Sequence, residues 1–233
     1  MRMNISRFEE TIGYTFKSKE LLERALTHSS FLQQAKDRHL KNNERLEFLG
    51  DAFLDAIVAT RLWEVMPNAP EGVLTKERAK VVCERSLAEV GSELGLGAYL
   101  RLSSGEEACG GREKPAIIAD AVEAVIGAVF LDGGYAAADT FVRRIMEGQV
   151  KKALEGKLLN DYKTELQERV PPKCQLKLKY SVVGEEGPDH AKTFHVELTY
   201  DGRLIGRGSG KSKKEAEMNA AKEAVESGES FVL

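Results

Sequence analysis

In the segment NERLEFLGD, Glu44, Glu47 and Asp51 stand at i, i+3 and i+7, which stacks three carboxylates along one side of a helix. Alone, such a triplet is usually a solvated polar face. A second acidic pair changes the weighing. AIIADAVEAVIGAVF is apolar on every side apart from Asp120 and Glu123, and a helix of that character is normally buried. Asp and Glu are rarely buried without a counter-charge or a metal, and the segment contains no Lys or Arg. Two sources of positive charge stay open: a basic side chain from another helix, or a divalent cation. Clustered carboxylates without His or Cys suit hard ions such as Mg²⁺, with Mn²⁺ as a substitute. Phosphodiester hydrolysis is the reaction such a site serves.

The elements that must position these acids can be read from periodicity. From Ser18 to about Gly148 apolar residues recur at three and four positions, in SKELLERAL, LGDAFLDAIVATRLW, LTKERAKVVCERSLAEVGSELG and YAAADTFVRRIMEGQVKKAL. These predict amphipathic helices, broken at MPNAPEG, at the long connection GLGAYLRLSSGEEACGGREKP, and at Gly133 and Gly134. The expectation is an all-α domain over residues 1–155. Beyond EGKLLND the period changes to two. Cys174, Leu176, Leu178, Tyr180 and Val182 alternate with polar residues, as do Phe194, Val196, Leu198 and Tyr200. After an Asp201-Gly202 turn a third strand starts at Arg203. Helices flank the strands at DYKTELQERV, closed by Pro171 and Pro172, and at SKKEAEMNAAKEAVE, where Ser212 and Glu215 form a capping box. The second domain, over 160–229, is therefore α-β-β-β-α.

The 233 residues suit two domains. A net charge of −3 excludes a uniformly polycationic nucleic-acid binder and leaves the distribution of charge to decide. Cys83, Cys109 and Cys174 are scattered and odd in number, which predicts neither disulfides nor a zinc site and fits a reducing cytoplasm. The N-terminal segment lacks the pattern of a secretory signal. The longest apolar run, Ala116 to Phe130, is too short to span a membrane.

NERLEFLGD following ALTHSS, then LTKERAKVVCERSLA and ADAVEAVIGAVFLDGG in that order and spacing, resembles the ribonuclease III family over nearly the whole chain. The resemblance implies a multidomain protein, an all-α endonuclease domain followed by a double-stranded RNA-binding domain. It further implies a homodimer in which each subunit cuts one strand. Glu47, Asp51, Asp120 and Glu123 match the family's metal ligands, with Asp51 and Glu123 at the catalytic heart. Magnesium held there promotes attack of water on the scissile phosphorus. Family products carry 5′-phosphate and 3′-hydroxyl ends with a short 3′ overhang, and family substrates include precursors of ribosomal and messenger RNA.

Glu44 and Glu77 match supporting acidic positions, although an acid in TKER also suits the first turn of a helix. Phe48 matches an aromatic of the family's dimer interface, whereas on sequence alone it reads as ordinary core. His28 reads as a structural histidine rather than a general base.

From Asn160 onward 12 basic residues face 13 acidic ones, so clustering rather than total charge signals RNA. Lys211, Lys213 and Lys214 gather at a helix start, where free N–H groups already favour phosphate. With GPDHAKTF and GSGKSKKEAE, the element order resembles the double-stranded RNA-binding domain. By that resemblance Thr164, Gln167 and Glu168 reach one minor groove, His190 the next, and the three lysines the phosphates between. Glu217 stands where many such domains carry another lysine, which lowers phosphate attraction at that end. The rival readings are a catalytically silent RNA-binding protein of the same architecture, and an all-α phosphohydrolase acting on nucleotides. The first would be favoured by a missing metal ligand, and none of the four is missing. The second leaves the C-terminal domain idle.

Overall fold

The computed structural model describes residues 5–35, 39–156, 158, 162–170, 177–188 and 192–227, without the side chains of 164, 165 and 168. The chain divides into two compact units, Met1–Leu158 and Leu159–Leu233.

The first unit is helical. In chain order it contains α1 (Ile5–Ile12), α2 (Lys19–Ala25), α3 (Ser29–Leu32), α4 (Glu44–Val65), α5 (Glu71–Val81), α6 (Glu84–Glu93), α7 (Ser104–Ala108) and α8 (Pro115–Leu154). Short 3₁₀ turns at Leu96–Tyr99 and Gly111–Glu113 lie within the long connection. The helix α1 was not expected. Its Phe8 and Ile12 are fully buried and join the core. The expected single helix over LTKERAKVVCERSLAEVGSELG is two, because Cys83 takes an extended backbone (φ −68°, ψ 156°) and caps α6.

The helix α8 is the spine, with α4 and α6 packed against it. Pro115 opens it at a position where the missing N–H costs nothing. From Ile117 to Val129 nearly every side chain is buried, as an all-round apolar helix requires. Gly134 interrupts it with φ 76° and ψ −174°, a conformation open essentially only to glycine. The predicted break at Gly133–Gly134 is thus a kink. Around the spine lie Phe8, Leu22, Leu46, Leu54, Ile57 and Leu62, each essentially inaccessible to water. Every such side chain contributes about 1.5–3 kcal/mol through burial.

The second unit runs α9 (Tyr162–Arg169), β1 (Leu178–Glu186), β2 (Thr193–Tyr200), β3 (Arg203–Gly210) and α10 (Lys213–Glu226). The strands form an antiparallel meander in the order β1-β2-β3. Asp201 (φ 53°) and Gly202 (φ 81°) make the tight turn between Tyr200 and Arg203, with both central residues left-handed as a two-residue hairpin demands. Val196 and Leu198 bury against Ala216, Ala220, Ala221 and Ala224 of α10. The described part of β1 begins at Leu178 and continues past the expected end at Val182. Val182 keeps its register opposite Val196 but is exposed, unlike partly buried Tyr180, and a register shift follows between Val182 and Gly184. The capping box at α10 forms with a one-residue offset. Glu215 N–H donates to Ser212 Oγ (3.2 Å), while the Glu215 carboxylate accepts from Lys211 N–H (2.7 Å).

Candidate metal centre and duplex-binding surface

Two helices bring the acids together. Glu47 sits in the first turn of α4, and Asp120 and Glu123 lie one turn apart on α8. Where these helices cross, each contributes a glycine. A methyl group added at Gly50 would fall 1.8 Å from the Glu123 carbonyl oxygen, and one at Gly127 would fall 2.2 Å from that of Leu46. The backbones therefore touch, closer than any side chain allows, beside the residues that carry the carboxylates. Neither glycine was singled out from the sequence. The available signal was a glycine inside an otherwise helical segment, which normally has a packing reason.

Oxygens of Glu47, Asp120 and Glu123 lie within 4.8 Å of one another. All three residues are half-buried. Among the described residues no Lys or Arg forms an ion pair with any of them. Ligands sharing one Mg²⁺ at about 2.1 Å stand about 3 to 4 Å apart, so a bound ion needs only a small inward rotation of these side chains. The donor set is all oxygen, which fits a hard divalent cation and not zinc.

Electrostatics point the same way. Burial, then the charges of Asp51, Glu47, Asp120 and Asp55, push Glu123 up to about 8. Glu47 is raised by burial and by Asp120, Glu44 and Asp51. Asp120 is raised by burial, partly offset by His28 and reinforced by Glu84. Three neighbouring acids that all resist ionisation mark a place where positive charge is wanted.

Asp51 is exposed, one turn along α4, and its carboxylate stands outside the converging triplet although its charge is felt at Glu123. Glu44 is exposed beside Glu47. Glu77 is not in a first turn, because α5 begins at Glu71; it is half-buried and pairs with Lys80 at 2.8 Å. Phe48 is 78% exposed, which overturns its reading as ordinary core in a single chain. His28 caps α3, its Nδ1 accepting from Ser30 N–H and lying 2.9 Å from Ser30 Oγ, a structural role as expected.

In the second unit Gln167 is exposed on α9, and Lys211, Lys213 and Lys214 are exposed at the start of α10. Lys213 lies 4.0 Å from Glu185 and above the Phe194 ring. His190 and the side chains of Thr164 and Glu168 lie outside the described residues. Glu217, expected to lower phosphate attraction at this end, accepts from Lys163 Nζ at 2.6 Å.

A helical unit that gathers acids with no basic partner among the described residues, followed by an α-β-β-β-α unit with lysines at a helix start, defines a nuclease carrying its own duplex-binding module. Comparison with known proteins agrees. Residues 18–149 match the ribonuclease-III-like family model, and 162–227 match the double-stranded RNA binding motif. The ribonuclease 3 of Pelotomaculum thermopropionicum is 47% identical over 221 residues, 95% of this chain and 92% of the relative. That of Clostridium perfringens is 45% identical over 224 residues, 96% and 94% of the two chains. The nuclease domain of ribonuclease III from Campylobacter jejuni superposes with a TM-score of 0.58 at 44% identity, covering 63% of this chain and 98% of that one. The chain belongs to the ribonuclease III family and is an endoribonuclease with a double-stranded RNA-binding module. No helix among the described residues is long and apolar enough to cross a membrane.

Proposed function

We propose that this chain hydrolyses double-stranded RNA at the acidic centre, with Mg²⁺ held by Glu47, Asp120 and Glu123 and approached by Asp51 from the solvent side. The observation that carries this reading is the convergence of three acid oxygens within 4.8 Å without a basic partner among the described residues. When bound, a divalent cation supplies a more acidic water and stabilises charge on the phosphate and the leaving oxygen. Glu47, Asp120 and Glu123 fix its position from two helices, while exposed Asp51 orients water at its carboxylate. The water oxygen bonds to phosphorus as the bond to the 3′ oxygen breaks, leaving a 5′-phosphate and a 3′-hydroxyl.

Exposed Phe48 supports a homodimer, since an aromatic ring of that size gains most by burial against a second copy. The related Campylobacter jejuni domain has a region involved in dimer formation. Two centres then cut the two strands and leave a 3′ overhang. Gln167, Lys211, Lys213 and Lys214, with Thr164, Glu168 and His190, contact the duplex. Precursors of ribosomal and messenger RNA in the cytoplasm are the substrates, and Glu44 and Glu77 support the site indirectly.

The test is a labelled RNA hairpin incubated with the full chain in Mg²⁺, in chelator, and with Glu123→Ala. Cutting is expected only for the native chain in Mg²⁺, with binding kept in all three. A native chain that binds but never cuts in Mg²⁺ leaves only the RNA-binding reading.

A further inference from the structure

Lys163 and Glu217 join the two helices that carry the duplex-binding candidates. Lys163, in the first turn of α9, donates to Glu217 of α10 at 2.6 Å, and its ammonium sits 4.5 Å from the centre of the Tyr180 ring on β1. The side chains are only 30% and 29% exposed, so the pair is partly shielded from solvent. Three elements thus converge on one ammonium group.

Gln167 follows Lys163 by one turn on α9, and Lys213 precedes Glu217 by one turn on α10. Residues four apart share a helix face. The pair therefore couples the face bearing Gln167 to the face bearing Lys213. A module that reaches a minor groove with one helix and phosphates across the major groove with the other must hold the two helices at a fixed spacing, because A-form grooves repeat at a fixed distance. A free lysine spends much rotamer freedom when it is ordered; here the carboxylate and the aromatic face have already ordered it.

We propose that Glu217 is a positioning residue: through Lys163 it sets α9 against α10 at the spacing duplex RNA requires, and it does not act as a free charge repelling phosphate. The proposal rests on the duplex-binding reading of the C-terminal unit. It reverses the sign of a simple expectation. Were Glu217 only a repelling charge, Glu217→Lys would tighten binding and steepen its salt dependence by about one phosphate contact.

The experiment measures binding of a labelled RNA duplex by the full chain in chelator, across a salt series. Glu217→Lys is expected to weaken binding about 5-fold without a steeper salt slope, since it sets two ammonium groups against each other. Combining it with Lys163→Glu, which rebuilds the pair in reverse, is expected to restore affinity to within about 3-fold of native. Tighter binding with a steeper slope for Glu217→Lys overturns the proposal. So does a reversed pair that binds no better than the single variant, including the case where Glu217→Lys alone fails to fold. The Lys213→Ala, Lys214→Ala double variant reads the duplex face separately. Unchanged binding there would sink the contact assignment and not the clamp.

Discussion

Two groups of acids in the helical unit differ in what faces them. Glu9, only 5% exposed, receives Lys19 Nζ at 2.5 Å and Phe16 N–H at 2.7 Å. Asp132, at the kink of α8, accepts from Tyr14 OH (2.8 Å), Lys17 N–H (2.9 Å) and Ser18 N–H (2.8 Å), tying the N-terminal segment to the spine. Burial pushes Asp132 up, but those hydrogen bonds outweigh it and hold the carboxyl below its ordinary value. The Tyr14 hydroxyl, partly buried and facing that carboxylate, is pushed up to about 12. Glu47, Asp120 and Glu123 are alike in chemistry yet move in the other direction, because burial raises all three, neighbouring acids add to it, and no hydrogen-bond donors among the described residues offset it as they do at Asp132. A carboxylate that the fold has already satisfied is structural. One that the fold leaves facing other carboxylates, with no basic partner among the described residues, is a candidate ligand for a cation.

The sharpest way to break this contrast is Glu123→Gln. Cleavage in Mg²⁺ is expected to fall by at least about 100-fold, as for loss of groups that govern metal affinity. The melting temperature of the metal-free protein should stay the same or rise, because the substitution removes one of several crowded like charges. A variant that loses activity and stability together would place Glu123 with Asp132 among the structural acids. Next in size is Gly50→Ala. The added methyl group meets the Glu123 carbonyl, which is backbone and cannot swing aside. A cost of about 1–3 kcal/mol from overpacking is expected, together with weaker Mn²⁺ binding as α4 is pushed away from α8. Full metal affinity in a folded Gly50→Ala protein would show that the glycine contact does not set the spacing of the acids.

Much of this site was legible in the sequence because helical spacing projects i, i+3 and i+4 onto one face, and because an apolar helix with two acids demands either a basic partner from another helix or a cation. The β meander and its Asp201-Gly202 turn were legible for the same reason at period two. What escaped has identifiable physical causes. The helix α1 spans only Ile5–Ile12, too short for periodicity to stand out. The division of α5 from α6 at Val82–Cys83 carries neither Gly nor Pro to announce it. The outward position of Phe48 escaped the spacing alone, since an aromatic at helical spacing reads as core, and only the family resemblance pointed to an outward place. Lys163 and Glu217 are 54 positions apart, so their pairing follows from the packing of α9 on α10 rather than from any local pattern.

Asp132→Asn tests the satisfied side of the comparison. An amide keeps the shape but weakens three hydrogen bonds to a charged acceptor, for an expected cost of about 2–3 kcal/mol. Its Mg²⁺ dependence of cleavage, measured where the variant is folded, should match the native chain. A shift in metal dependence would mean that the kink and the acidic centre are mechanically coupled.

The smallest expected effect is a difference in the pH dependence of stability, and its sign follows from the directions of the shifts. Glu123 binds its proton more tightly folded than unfolded, so the native state holds more protons between the ordinary glutamate range and about 8. Metal-free stability should therefore decline as pH rises through that window, with Glu47 and Asp120 adding to the decline at its lower end. Asp132 acts oppositely: its contribution is complete above the ordinary aspartate range and is lost as pH falls through its depressed value. Thermal melts in chelator between pH 5.5 and 8 should show a fall of a few degrees, at about 2–4 °C per kcal/mol for a protein of this size. Mg²⁺ should abolish the fall by fixing the acids in their ionised form, and Glu123→Gln should shrink it without any metal. If chelated native protein and Glu123→Gln decline in parallel, the proton is held elsewhere and the acidic centre does not have the raised proton affinity assigned to it.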